Sequence, residues 1–241
     1  LDIELPGRKD HHLVGFGLPE TNRIPEHYTF EEERKNGVLT TAERIIEYFG
    51  QRGNVTLYGH PYWSKIDSTD IKYLQGMIGM EIYNHGCEHD GLYGFNPQVY
   101  DEMLRAGQRL YALSTDDNHD TRPIGDPLND SFGGFVQIAA KELTYPAVME
   151  ALQAGRFYWS QGPQILGLSI EGGALKVKTS PVEKIFVTVE GRNSYKAVVA
   201  PGESLTEATF PLSGKEGWFR IQVRDSRGLF AGSNAYFIDQ L

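Results

Sequence analysis

Between residues 38 and 119, short apolar runs alternate with amphipathic stretches. Thr40 and Glu43 have capping-box spacing, and Ile45, Ile46 and Phe49 form an apolar stripe that Gly50 closes, so a helix is predicted there. Residues 54–58 read as a buried strand ending in Gly59-His60-Pro61, where Pro61 fixes the backbone and stops the strand. Asp67 to Asp70 opens a short helix with Ile71 and Leu74 apolar. Residues 77–83 are the next buried strand, carrying Glu81 and running into Asn84-His85-Gly86. Asn96-Pro97 starts a helix over 99–106, and Gly107 ends it. Residues 109–113 form another apolar run, which leads into Ser114-Thr115-Asp116-Asp117-Asn118-His119-Asp120. This alternation predicts a parallel α/β layout.

The flanks differ from this centre. Residues 2–5 alternate as a short strand, 6–10 are a turn, and 12–18 return as a second strand, which sets Glu4 and His12 facing each other across the connection. Residues 19–37 are polar and irregular, with a short helix expected over 30–34 and His27 on the surface. A Gly/Pro/Asp-rich loop covers 120–133, a strand 134–139, and a helix runs from a Thr144 cap through Ala154, with Pro146 in its first turn. From Gln164 onward the period falls to two. Strands are predicted over 175–179, 184–189, 195–199, 218–223 and 235–238, separated by turns at 191–193 and 225–228. That texture predicts a small antiparallel β-sandwich over 162–241, with the α/β part covering 1–161.

Composition narrows the function. The 241 residues are 40% hydrophobic and 23% charged, as in an ordinary globular chain, and no apolar run is long enough to span a bilayer. A net charge of −9 makes a nucleic-acid backbone a poor default partner. The single cysteine, Cys87, forms no intrachain disulfide, so nothing implies an oxidising compartment and a cytoplasmic location is expected. The chain opens Leu1-Asp2-Ile3 with no Met and no signal pattern, and reads as mid-strand, so an upstream part is expected.

The chemistry gathers where strands end. In parallel α/β folds active sites form at the C-terminal ends of strands, and His60, Glu81 with Asn84, and Asp117 with His119 all fall there. On an extended backbone Asp117 and His119, two apart, project from one face and converge on a point. Glu4, His12, His60, Asp117 and His119 make an imidazole and carboxylate set without thiolate, which suits Zn, Mn or Fe in catalytic use. His11 and His12 are neighbours and point to opposite faces of a strand, so His12, which opens the apolar run, is the chosen ligand. Glu81 is expected to orient a ligand, with Asn84 beside it. His85, Cys87 and His89 read as loop residues, and Arg156 as an ion-pair residue or a phosphate contact. A polynuclear site of this kind clamps a phosphate and acidifies a water to give hydroxide.

Taken in order, Ile3-Glu4, His12-Leu13-Val14-Gly15-Phe16-Gly17, Gly59-His60-Pro61, Gly79-Met80-Glu81-Ile82-Tyr83-Asn84, Asp116-Asp117-Asn118-His119 and Ala154-Gly155-Arg156-Phe157-Tyr158-Trp159-Ser160 resemble the motifs of the polymerase and histidinol phosphatase (PHP) family. The similarity is closest to its bacterial phosphoesterase branch with a C-terminal β domain. It covers about residues 1–163, and more loosely Gly232-Ser233-Asn234. The resemblance implies a distorted (β/α)7 barrel with a di- or trinuclear site, Glu4 as a bridging ligand, and His12, His60, Asp117 and His119 as ligands. Activity would turn on His60, Asp117 and His119. The family's opening His-x-His strand and its Thr-Asp-His strand end have no counterpart here, so this chain would start at about the third strand.

The expected function is metal-dependent hydrolysis of a small phosphorylated substrate by a metal-bound hydroxide. The alternative is an inactive or truncated PHP-like module that binds a ligand or a protein. Nuclease action on DNA ends is disfavoured by the acidic charge.

Overall fold

A computed structural model describes residues 2–5, 7, 9–17, 40–91 and 93–241. The helix expected over 30–34 and His27 lie outside the described residues. The chain is mixed α/β and rich in sheet, and its contacts divide it into two compact units, 1–111 and 112–241. Among the described residues no helix is long and apolar enough to cross a membrane.

The first unit opens with a hairpin of β1 (Asp2–Leu5) and β2 (Lys9–Phe16). Its register pairs Asp2 with His12 and Glu4 with Asp10. His12 therefore faces Asp2, two residues from the expected partner Glu4, because the turn closes at Leu5 and Lys9. β2 runs antiparallel to β3 (Val55–Tyr58), and β3 runs parallel to β4 (Gly79–Asn84). The expected parallel order thus holds between β3 and β4, while the hairpin enters antiparallel.

Helix α1 (Thr41–Gly50) starts as its capping box predicts. Glu43 N donates to Thr40 Oγ1 and Thr40 N donates to Glu43 Oε2. Ala42, Ile45, Ile46 and Phe49 bury its apolar stripe. The short α2 (Ser68–Ile71) follows an Asp67 cap. A further short helix, α3 (His85–His89), occupies the stretch read as loop, and α4 (Pro97–Arg105) follows. Asn96 does not cap α4 with its side chain, because its Nδ2 donates to Gly94 O instead.

The chain passes into the second unit through β5 (Tyr111–Thr115), and then forms β6 (Phe135–Ile138), α5 (Tyr145–Gln153) and β7 (Phe157–Ser160). Next come β8 (Ile165–Glu171), β9 (Ala174–Val182), β10 (Lys184–Val189), β11 (Ser194–Val198), β12 (Leu205–Pro211), β13 (Trp218–Arg224), β14 (Phe230–Ser233) and β15 (Tyr236–Phe237). One sheet has the order β11-β10-β13-β14-β7-β6, with β15 on β13, and the other has the order β12-β9-β8. The sequence boundary near residue 161 falls between β7 and β8, whereas β7 hydrogen-bonds to β14 across it.

Alternate residues of both sheets, including Leu175, Val177, Ile185, Val187, Phe210, Phe219, Ile221 and Val223, bury one apolar core. Gly232 has no side chain for a packing reason, since a Cβ there would lie 2.5 Å from the buried Trp159 ring. Asn234 ties the unit together. Its Oδ1 accepts from Ala112 N, and its Nδ2 donates to the carbonyls of Gly155 and Phe157.

Candidate active site

The two adjacent histidines of β2 part company, as opposite faces of a strand require. His11 is fully buried, with Nδ1 2.7 Å from Tyr58 Oη, and among the described residues its buried Nε2 has no hydrogen-bond partner. Burial holds the His11 imidazole below its ordinary pKa, and burial pushes the Tyr58 hydroxyl up, so both stay neutral in the core. His12 points the other way, with Nδ1 3.0 Å from Asp2 Oδ1.

His60 meets His12 at the end of β3. The ring centroids are 4.4 Å apart, with the rings near perpendicular. Gly59 permits this approach, because a Cβ on it would stand 3.3 Å from the His12 ring. Glu81, from β4, fixes the position of His60. Its Oε2 accepts the backbone N–H of His60 at 2.8 Å and Asn84 Nδ2 at 2.9 Å. Asn84 is fully buried, and its Oδ1 accepts Cys87 N to start α3. His60 Nδ1 lies 3.0 Å from Ser64 Oγ, and the Trp63 ring stands edge-on to His60 at 5.3 Å. Each of the two imidazoles is thus held through Nδ1, the arrangement in which a ligand is taken on Nε2.

Asp117 and His119 lie in the second unit. β5 ends at Thr115, and Asp117 takes φ +51°, a left-handed conformation that Asp tolerates. The extended backbone that would put positions 117 and 119 on one face is therefore absent. The loop is pinned by other carboxylates. Asp116 accepts the N–H groups of Phe132, Gly133 and Gly134, and Asp130 accepts His119 N and Asn118 Nδ2. Asn118 also bonds Ser131. His119 is exposed and Asp117 half-buried. Arg156 forms a solvent-facing ion pair with Glu150 at 2.9 Å.

The structure therefore brings together His12, His60, Glu81 and Asn84. Glu4 occupies β1, and its side chain is outside the described residues. Among the described residues no group of three or more His, Cys, Asp or Glu is placed to hold one metal ion. The His12–His60 pair supplies two donors of the right type for Zn, Mn or Fe, but not a complete site. Sequence reasoning missed Asp2 and Ser64, which orient the two imidazoles. Asp2 carried no motif, while Ser64 stands four residues after His60, a spacing that a turn closes by the Ser64 N to His60 O bond.

No family model and no curated protein matches the chain. Among solved structures, a two-domain protein containing a predicted PHP-like metal-dependent phosphoesterase from Bacteroides vulgatus is similar over 85% of this chain, with 12% identity and a TM-score of 0.33. This chain spans 66% of that protein's length. The functional reading rests on the chain's own residues.

Proposed function

We propose that the chain belongs to a metal-dependent phosphoesterase of the PHP type, acting on a small phosphorylated substrate, and that its α/β part is a portion of a distorted (β/α)7 barrel. The observation that carries this reading is the His12–His60 pair at a strand end, each ring oriented through Nδ1 and His60 fixed by the buried Glu81. A buried carboxylate that accepts a main-chain N–H beside a histidine costs desolvation, and such groups concentrate at sites where a side chain must not move.

His12 and His60 would hold a divalent ion, with a further ligand from Glu4 on the same hairpin. When bound, the ion supplies Lewis acidity to a phosphoryl oxygen and acidifies a water. The chain's own part is positional. Asp2 and Ser64 select the ring tautomers, Glu81 fixes the His60 backbone, and Asn84 keeps Glu81 in place. Trp63, 40% exposed, walls one side of His60.

The test is calorimetric titration of the full chain with Mn(II) and Zn(II), together with hydrolysis of a panel of phosphate monoesters and diesters. Metal uptake and hydrolysis that both fall in His60→Gln are expected. A chain that takes up neither ion and hydrolyses nothing in the panel contradicts the reading and returns the chain to a binding module.

A further inference from the structure

A second pair of imidazoles lies on α3, the helix that the Asn84 side chain starts, and neither ring belongs to the His12–His60 pair. His85 and His89 are four apart, so a helical turn stacks them on one face. Their Nε2 atoms are 3.0 Å apart, and both residues are half-buried, so solvent reaches the pair. The ring centroids are 4.5 Å apart with the planes 82° from parallel. That separation is shorter than a head-on N–H···N contact of the same length would give, so the two nitrogens meet at an angle. His85 Nδ1 is 2.9 Å from Tyr83 Oη, which accepts its N–H when Nε2 carries a ligand.

We infer that His85 and His89 form a two-histidine chelate for a divalent transition ion, independent of His12 and His60, and that it prefers Cu(II) or Ni(II). The nitrogen donors carry the preference, since such sites rank Ni(II) and Cu(II) above the earlier first-row divalent ions, and the spacing agrees with it. With metal–nitrogen bonds of about 2.0–2.1 Å, two nitrogens 3.0 Å apart subtend about 94° at the ion. This is close to the cis angle of a tetragonal site, whereas a tetrahedral ion would want the nitrogens about 3.3–3.4 Å apart. Among the described residues no third His, Cys, Asp or Glu joins the pair, so water or a small ligand fills the remaining positions. Hard ions that prefer oxygen, Ca(II) and Mg(II), are excluded by the donor type.

The experiment titrates the full chain with Cu(II) and reads nitrogen coupling by electron paramagnetic resonance, alongside calorimetry. One equivalent with two nitrogen ligands is expected in His60→Gln, where the His12–His60 pair is broken, and the parent should hold the same equivalent besides any Cu(II) taken by that pair. That equivalent should be lost in His89→Gln. Tyr83→Phe, which keeps the ring, should weaken it about tenfold. Unchanged Cu(II) binding in a folded His89→Gln overturns the proposal. Should that variant not fold, Cu(II) affinity unchanged in Tyr83→Phe overturns it instead. Because the phosphoesterase reading fails on His60→Gln and this one on His89→Gln, the two are separated by the same set of proteins.

Discussion

The two units bury different things. The second unit closes over Val177, Ile185, Val187, Phe219, Ile221 and Val223, an apolar cluster built on period-two alternation, and its buried polar side chains, among them Ser160, Ser233 and Asn234, bond the backbone around them. The first unit buries His11, His60, Glu81 and Asn84 beside its apolar residues. A buried polar group must be hydrogen-bonded or it costs stability, and here these side chains bond other side chains, Glu81 with Asn84, His60 with Ser64 and His11 with Tyr58. The contrast separates a scaffold from a candidate site.

The largest effect expected from breaking this contrast lies in the sandwich. Phe219 is almost fully buried and stacks on Tyr236 at 5.4 Å. Phe219→Ala should cost about 3–5 kcal/mol of stability, read by urea unfolding. A loss below about 1 kcal/mol would mean that the sandwich core is not the well-packed unit described.

Next comes Glu81→Gln, which keeps the shape and removes the charge. It should cost about 1–3 kcal/mol, because the His60 N–H and the Asn84 amide lose a charged acceptor. Metal affinity at His60 should fall about 10–100-fold. Lost stability with unchanged metal affinity would make Glu81 a purely structural residue.

His11 sharpens the comparison through pH. Burial lowers its pKa below the ordinary value of 6.5 in the folded chain. Below that value the unfolded chain takes up a proton that the folded chain refuses, so this stability is complete above it and is lost as pH falls. The urea midpoint should drop between about pH 7.5 and about pH 5.5, and His11→Leu should flatten that part of the dependence. Equal slopes in the two proteins would contradict the burial of a neutral imidazole.

The smallest effect is expected at Arg156. Its pair with Glu150 faces solvent, so Arg156→Ala should change stability by at most about 1 kcal/mol. A large loss of hydrolysis in that variant would restore the phosphate contact that its sequence motif suggested.

Much of the fold was legible because the periods were clean. The capping box at Thr40 and Glu43 and the alternation through β9, β10 and β13 are local signals, and local signals survive folding. β7, β8, β12 and β14 went unread: exposed Leu166 and Ile170 interrupt the alternation of β8, and β14 is short and glycine-bearing. The boundary near residue 161 was inferred from a change in texture. β6 and β7 pair into the sandwich sheet through contacts more than 70 residues apart in places, such as Ala231 with Ser160. No local pattern encodes such a pairing.

In the candidate site, the strand-end rule led to His60 and Glu81. Asp117 also follows a strand end, but the extended backbone expected to set it and His119 on one face gives way to a left-handed conformation at Asp117. α3 was read as loop because Gly86 and a polar composition hid a helix that the Asn84 side chain starts.

The central claim is that His12 and His60 are held ready for a metal ion. The most direct measurement is Mn(II) or Zn(II) affinity of the full chain and its phosphate-ester hydrolysis, compared with His60→Gln at equal protein stability. The account predicts that the parent binds the ion and that both affinity and rate fall at least about tenfold in the variant. Equal affinity and equal rate in the two proteins would contradict it.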